Sequence, residues 1–523
     1  MSSCARTPVL QLTLAVLALF ACSAARAEIT APVAISGQTV ATAPSAEWPI
    51  VTRRGDQLFE GAKPFRFLGL AAPNLQANES QFLPDYSNRF PDEYEIRDTL
   101  GGLQRVGARA TRTFALSVFH PDDKGVPVYI TARRTYNEEA FRCIDRVLAL
   151  CPEYDIRIVI PLIASQSFGT IRGVDEFSQL SGKPGIAFWT DPAVKEDFKH
   201  FLGFLLNRRN TITGRFYKDD PAILAWQLGN EFDVYAHNRN LDPLPIAPDI
   251  LSWSIEMAAT IKQLDPKHLV MEAKGCDREA LLADPNIDVI SEHLYEYWNR
   301  LNNQSTDLAA LARAARAQCL GRKPLMIDEF GLGSVENQRA LMRTIREEGI
   351  VGGLMWSIRS HRRDGGWYYH NEGGTLVNSF HVPGFTAGFA YEETRLLDLL
   401  RVEAYAIRDR PVPPRARPAP APVLFQAGAG LTWRGSTGAS SYVLERAESV
   451  GGPWIVIARD LEDSVVADAK TYENSFSSGA QPALALYHDE TAPAGKLLYY
   501  RLKGVNLGGE TDYSILLAVP DTH

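Results

Sequence analysis

The chain has 523 residues, a formal net charge of −8 at pH 7 and 45% hydrophobic residues. This length accommodates a large domain with one further module, and the hydrophobic content is that of a globular protein with a full core. The acidic balance disfavours nucleic acid as a partner, because such binding needs a dense basic surface.

The N-terminus has the pattern of an export signal. Arg6 precedes an apolar run over residues 9–20, which is too short for an ordinary membrane span. We predict a signal peptide over residues 1–27, a flexible lead-in over 28–45, and a secreted or periplasmic protein. The alternative is a lipoprotein anchored at Cys22, because the residues before it resemble a bacterial lipoprotein processing site.

From residue 46 onward, short apolar runs typical of strands alternate with amphipathic stretches typical of helices. The predicted strands cover 66–70, 108–114, 156–163, 268–272, 287–293 and 353–356, together with runs that begin at Ala222 and Lys323. The predicted helices cover 93–106, 138–150, 192–207, 251–264, 308–317 and 337–348. Eight strands that alternate with helices predict an α/β fold, a (β/α)8 TIM barrel over residues 46–405.

The composition changes near residue 406. A proline-rich stretch over 406–422 predicts an extended linker. Short strand-like runs separated by Gly and Asp clusters follow over 423–523, which predicts a small β-sandwich. This part resembles a fibronectin type III domain, with Trp433 as the early core Trp and Tyr500 on a late strand. We interpret it as a spacer, and adhesion to a surface is the alternative.

Two carboxylates, Glu231 and Glu329, end two of the apolar runs. Because α/β barrels carry their active sites at the carboxyl ends of the strands, the pair is expected to face each other across the barrel mouth. Such a pair suits glycoside hydrolysis, in which one carboxyl protonates the leaving oxygen and the other attacks the sugar. Asp328 neighbours Glu329, but alternation along a strand predicts that only one of them faces the mouth.

Three further polar residues are candidates for the same site. Arg112 ends the second predicted strand, where its charge would keep a carboxylate ionised. His293 and Tyr295 are two residues apart, so they share one face if their strand extends that far. The alternatives are a rim salt bridge for Arg112 and buried core positions for the other two.

Asn230 and Trp356 complete the candidate set. Asn230 would point away from its neighbour Glu231 unless the strand departs from regular geometry there. Trp356 ends the eighth predicted strand, where its ring is placed to stack on a sugar, with core packing as the alternative. Three more aromatic residues are candidate sugar platforms or core residues: Trp298, Trp367 and Tyr368.

These residues, together with the stretches 188–195 and 210–221 ahead of the Glu231 run, resemble glycoside hydrolase family 5, the cellulase and β-mannanase family. The resemblance covers about residues 50–405 and is closest to the endo-β-1,4-mannanase branch. It implies a retaining mechanism on β-mannan or a related polysaccharide or oligosaccharide, with no cofactor and no metal.

The resemblance also implies a role for each candidate residue. Glu231 would be the general acid/base and Glu329 the nucleophile; Arg112 and Tyr295 would hold the nucleophile, Asn230 would bind the 2-hydroxyl, His293 would line the cleft, and Trp356 would floor the cleavage subsite. We therefore expect a raised pKa at Glu231, an ionised Glu329, and carboxyl groups about 5 to 5.5 Å apart.

The chain departs from the family pattern in two places. Residues 164–166 replace a histidine that many members carry, and Phe232 replaces the usual proline after the acid. A long loop is predicted from Phe232 to about residue 248, and another over 357–370. The alternatives are an exo-β-mannosidase, a β-1,4-glucanase, or a non-catalytic polysaccharide-binding protein. We expect a monomer without a protein partner.

The cysteines give no further site. Cys143 and Cys151 flank one predicted helix at a separation of about 12 Å, which is too far for a disulfide. Cys276 and Cys319 are free to pair in an oxidising compartment, and the sequence leaves both states open. Their spacing does not indicate a metal site.

Overall fold

The structure is a computed structural model that describes residues 48–78, 89–122, 128–167, 171–275, 277–372, 376–377, 380–384, 391–463 and 485–520. The predicted signal peptide, the lead-in and Cys276 lie outside these residues. None of the helices in the described ranges is long and apolar enough to cross a membrane. In the same ranges the thiols of Cys143, Cys151 and Cys319 are free and buried.

Eight short parallel strands form the centre of the larger, N-terminal part of the described chain. They are β1 (Phe67–Leu70), β2 (Ala110–Arg112), β3 (Arg157–Pro161), β4 (Ile223–Gln227), β5 (Leu269–Met271), β6 (Ile290–Tyr295), β7 (Leu325–Gly331) and β8 (Gly352–Met355). They pair in two four-stranded sheets, in the orders β5-β4-β3-β2 and β6-β7-β8-β1. Each predicted strand overlaps one of them, so the mixed α/β fold with parallel sheets is confirmed.

The two sheets contact each other at both pairs of edges. Between β1 and β2, Thr111 Oγ1 donates to the Leu70 carbonyl at 2.7 Å. Between β5 and β6, Met271 pairs in parallel with Val289, just ahead of β6. All eight strands are almost fully buried, which explains their continuous apolar character.

Helices follow the strands along the chain. They are α1 (Glu93–Arg105), α2 (Glu138–Tyr154), α3 (Val174–Gln179), α4 (Ala187–Thr190), α5 (Pro192–Leu206), α6 (Pro243–Leu264), α7 (Arg278–Ala283), α8 (Glu296–Leu301), α9 (Leu308–Cys319), α10 (Val335–Glu347) and α11 (Glu393–Ala406). Side chains cap the N-termini of several of these helices. At α1, for example, Asp92 and Glu95 form a capping box.

Helix α6 corrects the predicted loop after Phe232. It begins at Pro243 instead of residue 251, because the Asp242 side chain accepts from the Leu244 N–H and Pro243 occupies the first helical position. Pro248 therefore lies inside the helix and does not end a loop. The connection between β4 and α6 is shorter than predicted and contains two 3-10 turns, Phe232–Val234 and His237–Arg239.

The stretch 210–221, which leads into β4, is bound to helix α2. Asp145 on α2, which is fully buried, accepts from Tyr217 Oη at 2.6 Å and from Thr211 Oγ1 at 2.7 Å. Arg208 Nη2 donates to the same carboxylate at 2.7 Å. These contacts satisfy a buried charge, so this part of the family pattern has a structural role.

After residues 411–418, which form no helix or strand, the chain enters a part built of antiparallel strands. They are β9 (Val423–Ala427), β10 (Gly430–Arg434), β11 (Ser441–Ala447), β12 (Ile455–Leu461), β13 (Leu498–Asn506), β14 (Gly509–Glu510) and β15 (Leu517–Val519). β9 pairs with β10, and the other five form one sheet in which β13 lies beside β11, β14 and β15. Trp433 and Tyr500 both belong to the core of this part, which we call the C-terminal module.

Candidate active site

Glu231 and Glu329 line one cavity of about 560 Å³. Its volume lies within the range of small-molecule sites. The remaining wall comes mainly from segments at or after the carboxyl ends of the strands, and it includes Phe114, Gln166, Asn230, Asp233, His237, Lys274, His293, Tyr295, Trp298, Asn302, Trp356 and His370. The cavity therefore occupies the end of the sheets at which the two carboxylates were predicted to meet.

The chain bends after β4, and this bend directs both Asn230 and Glu231 to the site. Glu231 has φ +50° and ψ +60°, in the left-handed region that non-glycine residues seldom adopt. Its Oε2 accepts from Gln166 Nε2 at 2.7 Å, and Asn230 Oδ1 accepts from Arg112 Nη2 at 2.6 Å. Gln166 belongs to the stretch 164–166, which lacks the histidine of many family members. Its side-chain amide lies beside the Glu231 carboxylate instead.

Glu329 is held by two donors. Arg112 Nη1 donates to its Oε1 and Tyr295 Oη donates to its Oε2, both at 2.6 Å. The Arg112 side chain is fully buried. β6 extends to Tyr295, so Tyr295 and His293 share the inward face as predicted. Two charge-assisted hydrogen bonds fix the orientation of Glu329.

Asp328 is buried among polar side chains of the inner strand faces, but of the two neighbours only Glu329 lines the cavity, as predicted. Glu292 pairs with Ile327, but His293 pairs with Glu329, so a bulge in β7 leaves Asp328 without an opposite residue. The fully buried Asp328 carboxylate accepts from Ser291 Oγ at 2.5 Å and lies 3.3 Å from Arg112 Nε.

His293 connects three carboxylates. Its Nδ1 lies 2.8 Å from Glu231 Oε1 and 3.3 Å from Glu329 Oε2, and its Nε2 lies 3.3 Å from Asp328 Oδ2. Burial lowers the pKa of His293, but the charges of Glu329 and Asp328 outweigh burial and raise it to about 10. The ring is therefore an imidazolium at neutral pH.

The same interactions with His293 shift the pKa values of the two glutamates. Burial raises the pKa of Glu231, but the hydrogen bond and the charge of His293 outweigh burial and hold this pKa below its ordinary value. Burial also raises the pKa of Glu329, against the charges of His293 and Arg112. The expectation of a raised pKa at Glu231 is therefore wrong for this structure, because the neighbouring His293 stabilises the carboxylate form of Glu231.

The aromatic candidates separate into two groups. Trp356 is buried, lines the cavity and packs edge-on against Phe114, with ring centroids 5.8 Å apart. Trp298 is partly exposed and also lines it. Trp367 and Tyr368 are buried away from the cavity, where Trp367 Nε1 donates to Asp463 and Tyr368 Oη donates to Glu95. Core packing is therefore the correct interpretation for Trp367 and Tyr368.

A charged pair lies in the cavity wall next to Glu231. Lys274 Nζ donates to Asp233 Oδ2 at 2.7 Å. Burial lowers the pKa of Lys274, but the charges of Asp233 and Glu231 outweigh burial and raise it. The sequence motifs did not indicate this pair, or the buried strand residues Gln227 and Ser291, because none of the four belongs to a recognisable motif.

One ligand atom each from Glu231, His293 and Glu329 lie within 4.8 Å of one another, a spacing that a metal ion could bridge. The chemistry of the donors disfavours a metal. Both oxygens of Glu329 already accept hydrogen bonds from Arg112 and Tyr295, and a metal requires a deprotonated imidazole nitrogen. The cluster fits carboxylates that share a proton better than it fits a metal centre.

The chain is similar to proteins whose names describe mannosidases or mannanases. Residues 83–371 match the GH family 5 beta-mannosidase-like family. Mannan endo-1,4-beta-mannosidase 1 of Oryza sativa subsp. japonica is 30% identical over 312 residues, which are 50% of this chain and 69% of that protein. Mannan endo-1,4-beta-mannosidase 7 of Arabidopsis thaliana is 30% identical over 309 residues, with the same coverage of 50% and 69%.

Solved structures share the fold. The endo-1,4-beta-mannanase from Rhizomucor miehei superimposes with a TM-score of 0.55 at 21% identity, over 69% of this chain and 100% of that one. A glycoside hydrolase family 5 mannosidase from the same organism gives a TM-score of 0.53 at 18% identity, over 70% of this chain and 99% of that one.

Proposed function

Because the chain belongs to the GH family 5 beta-mannosidase-like family and is a glycoside hydrolase, we propose that it cleaves β-1,4-mannosidic bonds of mannan-type polysaccharides or oligosaccharides with retention of configuration. One observation carries the proposal. Glu231 and Glu329 face one cavity, and Arg112 and Tyr295 each hold an oxygen of Glu329 at 2.6 Å. The relatives named as mannan endo-1,4-beta-mannosidases support the choice of bond.

We also propose a specific fold for each of the two parts of the chain. The hydrogen bond from Thr111 to Leu70 and the pairing of Met271 with Val289 support a closed (β/α)8 barrel made from the two sheets. The antiparallel strands of the C-terminal module support a β-sandwich, with a fibronectin type III-like fold as the specific proposal.

In the first step, a carboxylate oxygen of Glu329 attacks the anomeric carbon of the sugar, and the bond from that carbon to the glycosidic oxygen breaks. Glu231 gives a proton to the departing oxygen. A carboxylate oxygen of Glu231 and one of Glu329 lie within 4.8 Å of each other. Inverting enzymes place their carboxyl groups about 6.5 to 9.5 Å apart to admit a water, so the shorter separation supports the formation of a glycosyl ester on Glu329.

The proton for this step starts on His293. Sugar binding removes water from Glu231, which favours the neutral form of a carboxyl group. The proton then moves from His293 Nδ1 to Glu231 Oε1 across their 2.8 Å contact. In the second step, Glu231 takes a proton from water, the hydroxide oxygen attacks the anomeric carbon, and Glu329 leaves as a carboxylate. The proton then returns from Glu231 Oε1 to His293 Nδ1, which restores the starting state.

Product analysis tests the function. The protein is incubated with β-mannan, glucomannan, cellulose and manno-oligosaccharides, with Glu329→Gln as the control that keeps the shape of the side chain. We expect a ladder of manno-oligosaccharides from mannan that is lost in the control. Release of mannose alone indicates an exo-β-mannosidase, and activity on glucans alone contradicts the proposed substrate.

The N-terminal pattern supports a secreted or periplasmic location for this activity. The proposed chemistry uses only side chains of this chain, so it needs neither a cofactor nor a partner subunit. We accordingly propose that the enzyme acts as a monomer.

A further inference from the structure

A segment over residues 357–370 connects the cavity with the C-terminal module, and we call it the active-site hairpin. His361 pairs with Trp367 in an antiparallel bridge, and Tyr368 N donates to the Ser360 carbonyl at 3.0 Å. At the base of the hairpin, Trp356 and His370 line the cavity. The position of this hairpin therefore determines part of the cavity wall.

Asp463, which follows β12 in the C-terminal module, binds two side chains of this hairpin. Its Oδ2 lies 2.8 Å from His361 Nε2, and its Oδ1 accepts from Trp367 Nε1 at 2.7 Å. The rings of His361 and Trp367 stack with centroids 3.5 Å apart. Asp463 is 3% exposed, so these bonds are shielded from water.

A second carboxylate holds the other side of the same imidazole. Asp98 Oδ2, on α1, lies 3.0 Å from His361 Nδ1, and Asp98 Oδ1 accepts from Thr437 Oγ1 of the C-terminal module at 2.7 Å. Burial lowers the pKa of His361, but the charges of Asp98 and Asp463 outweigh burial and raise it to about 9. At neutral pH a buried imidazolium thus lies between two carboxylates.

The module approaches this imidazole closely. A Cβ atom at Gly435 would lie 2.1 Å from His361 Nε2, so only glycine fits there. Gly366 N of the hairpin donates to the Trp433 carbonyl at 3.3 Å. Buried ion pairs and a backbone hydrogen bond therefore join the module directly to the hairpin.

We propose that Asp463 is a positioning residue for the glycosidase reaction, which holds the active-site hairpin so that Trp356 and His370 keep their places in the cavity wall. The C-terminal module is then a part of the catalytic unit and neither a spacer nor an adhesion module. The kinetic half of this proposal rests on the proposed function, and the structural half does not.

Asp463→Asn in the full chain tests the proposal, with Asp489→Asn as the matched control. Asp489 is a carboxylate of the same module that binds Arg446 at 2.6 Å and Tyr500 at 3.0 Å, and neither partner belongs to the hairpin. Two readouts are compared: hydrogen exchange of peptides that cover residues 356–370, and kcat and KM on a manno-oligosaccharide. A third variant, Trp367→Phe, removes one hydrogen bond to Asp463 and keeps an aromatic, though smaller, side chain.

We expect faster exchange of the hairpin and a loss of kcat/KM of at least about tenfold in Asp463→Asn, mainly through a higher KM, with a smaller change of the same kind in Trp367→Phe. Asp489→Asn should leave the exchange of the hairpin unchanged. Equal effects of both Asn variants, or wild-type exchange and kinetics in Asp463→Asn, would overturn the proposal. If the wild type cleaves no mannoside but the exchange changes as expected, only the proposed function fails.

Discussion

The imidazole of His293 links Glu231 to Asp328: Nδ1 lies 2.8 Å from Glu231 Oε1, and Nε2 lies 3.3 Å from Asp328 Oδ2. Asp328 is fully buried behind the cavity. A carboxylate that cannot reach the sugar therefore helps to set the charge of the ring that supplies the proton to Glu231.

Asp328→Asn should shift the pH dependence of the reaction. The raised pKa of His293 means that the ring keeps its proton at neutral pH and loses it as the pH rises towards about 10. Without the charge of Asp328 this pKa falls, so the alkaline limb of kcat/KM should move to lower pH. Ser291→Ala is the control, because it removes a hydrogen bond to Asp328 at 2.5 Å but keeps the charge. An alkaline limb that stays in place in Asp328→Asn would contradict this coupling.

Glu231→Ala should lower the rate by an amount that depends on the leaving group of the substrate. Loss of a general acid lowers the rate about 10²- to 10⁴-fold on mannan, whose departing oxygen needs a proton. The first step on a dinitrophenyl β-mannoside should be affected far less, because that leaving group departs as an anion. Burst kinetics of dinitrophenolate release measure this step. Equal losses on both substrates would exclude Glu231 as the acid.

Tyr295→Phe should lower kcat without unfolding the site. The change removes the hydroxyl that donates to Glu329 Oε2 at 2.6 Å and keeps the ring. A hydrogen bond to a charged group contributes about 1.5–3 kcal/mol, which corresponds to a loss of about 10- to 150-fold. Steady-state kinetics and a thermal melt measure the two effects. A large fall in Tm with unchanged kcat would assign Tyr295 to the core instead.

Asp145→Ala should destabilise the chain because it leaves Arg208 buried with fewer partners. Removal of one member of a buried ion pair costs about 3–5 kcal/mol. The matched control is Glu138→Gln, since Glu138 binds the same Arg208 but has a side chain that is 51% exposed, and an exposed pair contributes about 0–1 kcal/mol. Calorimetry of both variants should give a much lower Tm for Asp145→Ala only, and equal values would contradict the structural role of the stretch 210–221.

Local patterns were sufficient to predict the strands and the two glutamates. Apolar runs that end in Glu231 and Glu329 predict buried parallel strands with carboxylates at one end, and both residues line the same cavity. The shared face of His293 and Tyr295 also follows from simple alternation along β6.

Other features depend on contacts that no local pattern contains. The inward position of Asp328 results from a bulge that only the pairing of β6 with β7 defines. Trp367 and Asp463 are 96 residues apart, so the sequence leaves both a sugar platform and core packing open for an aromatic residue that the C-terminal module covers. The raised pKa of His293 results from three carboxylates at the ends of two strands, β4 and β7, and this arrangement exists only in the folded chain.

The stereochemistry of the first product tests the central claim most directly. Proton NMR follows the hydrolysis of a reduced manno-oligosaccharide by the wild type and by Glu329→Ala. The account predicts that the β-anomer appears first and converts later to the α-anomer, and that Glu329→Ala releases no product. Initial release of the α-anomer, or unchanged activity in Glu329→Ala, would contradict a glycosyl ester on Glu329.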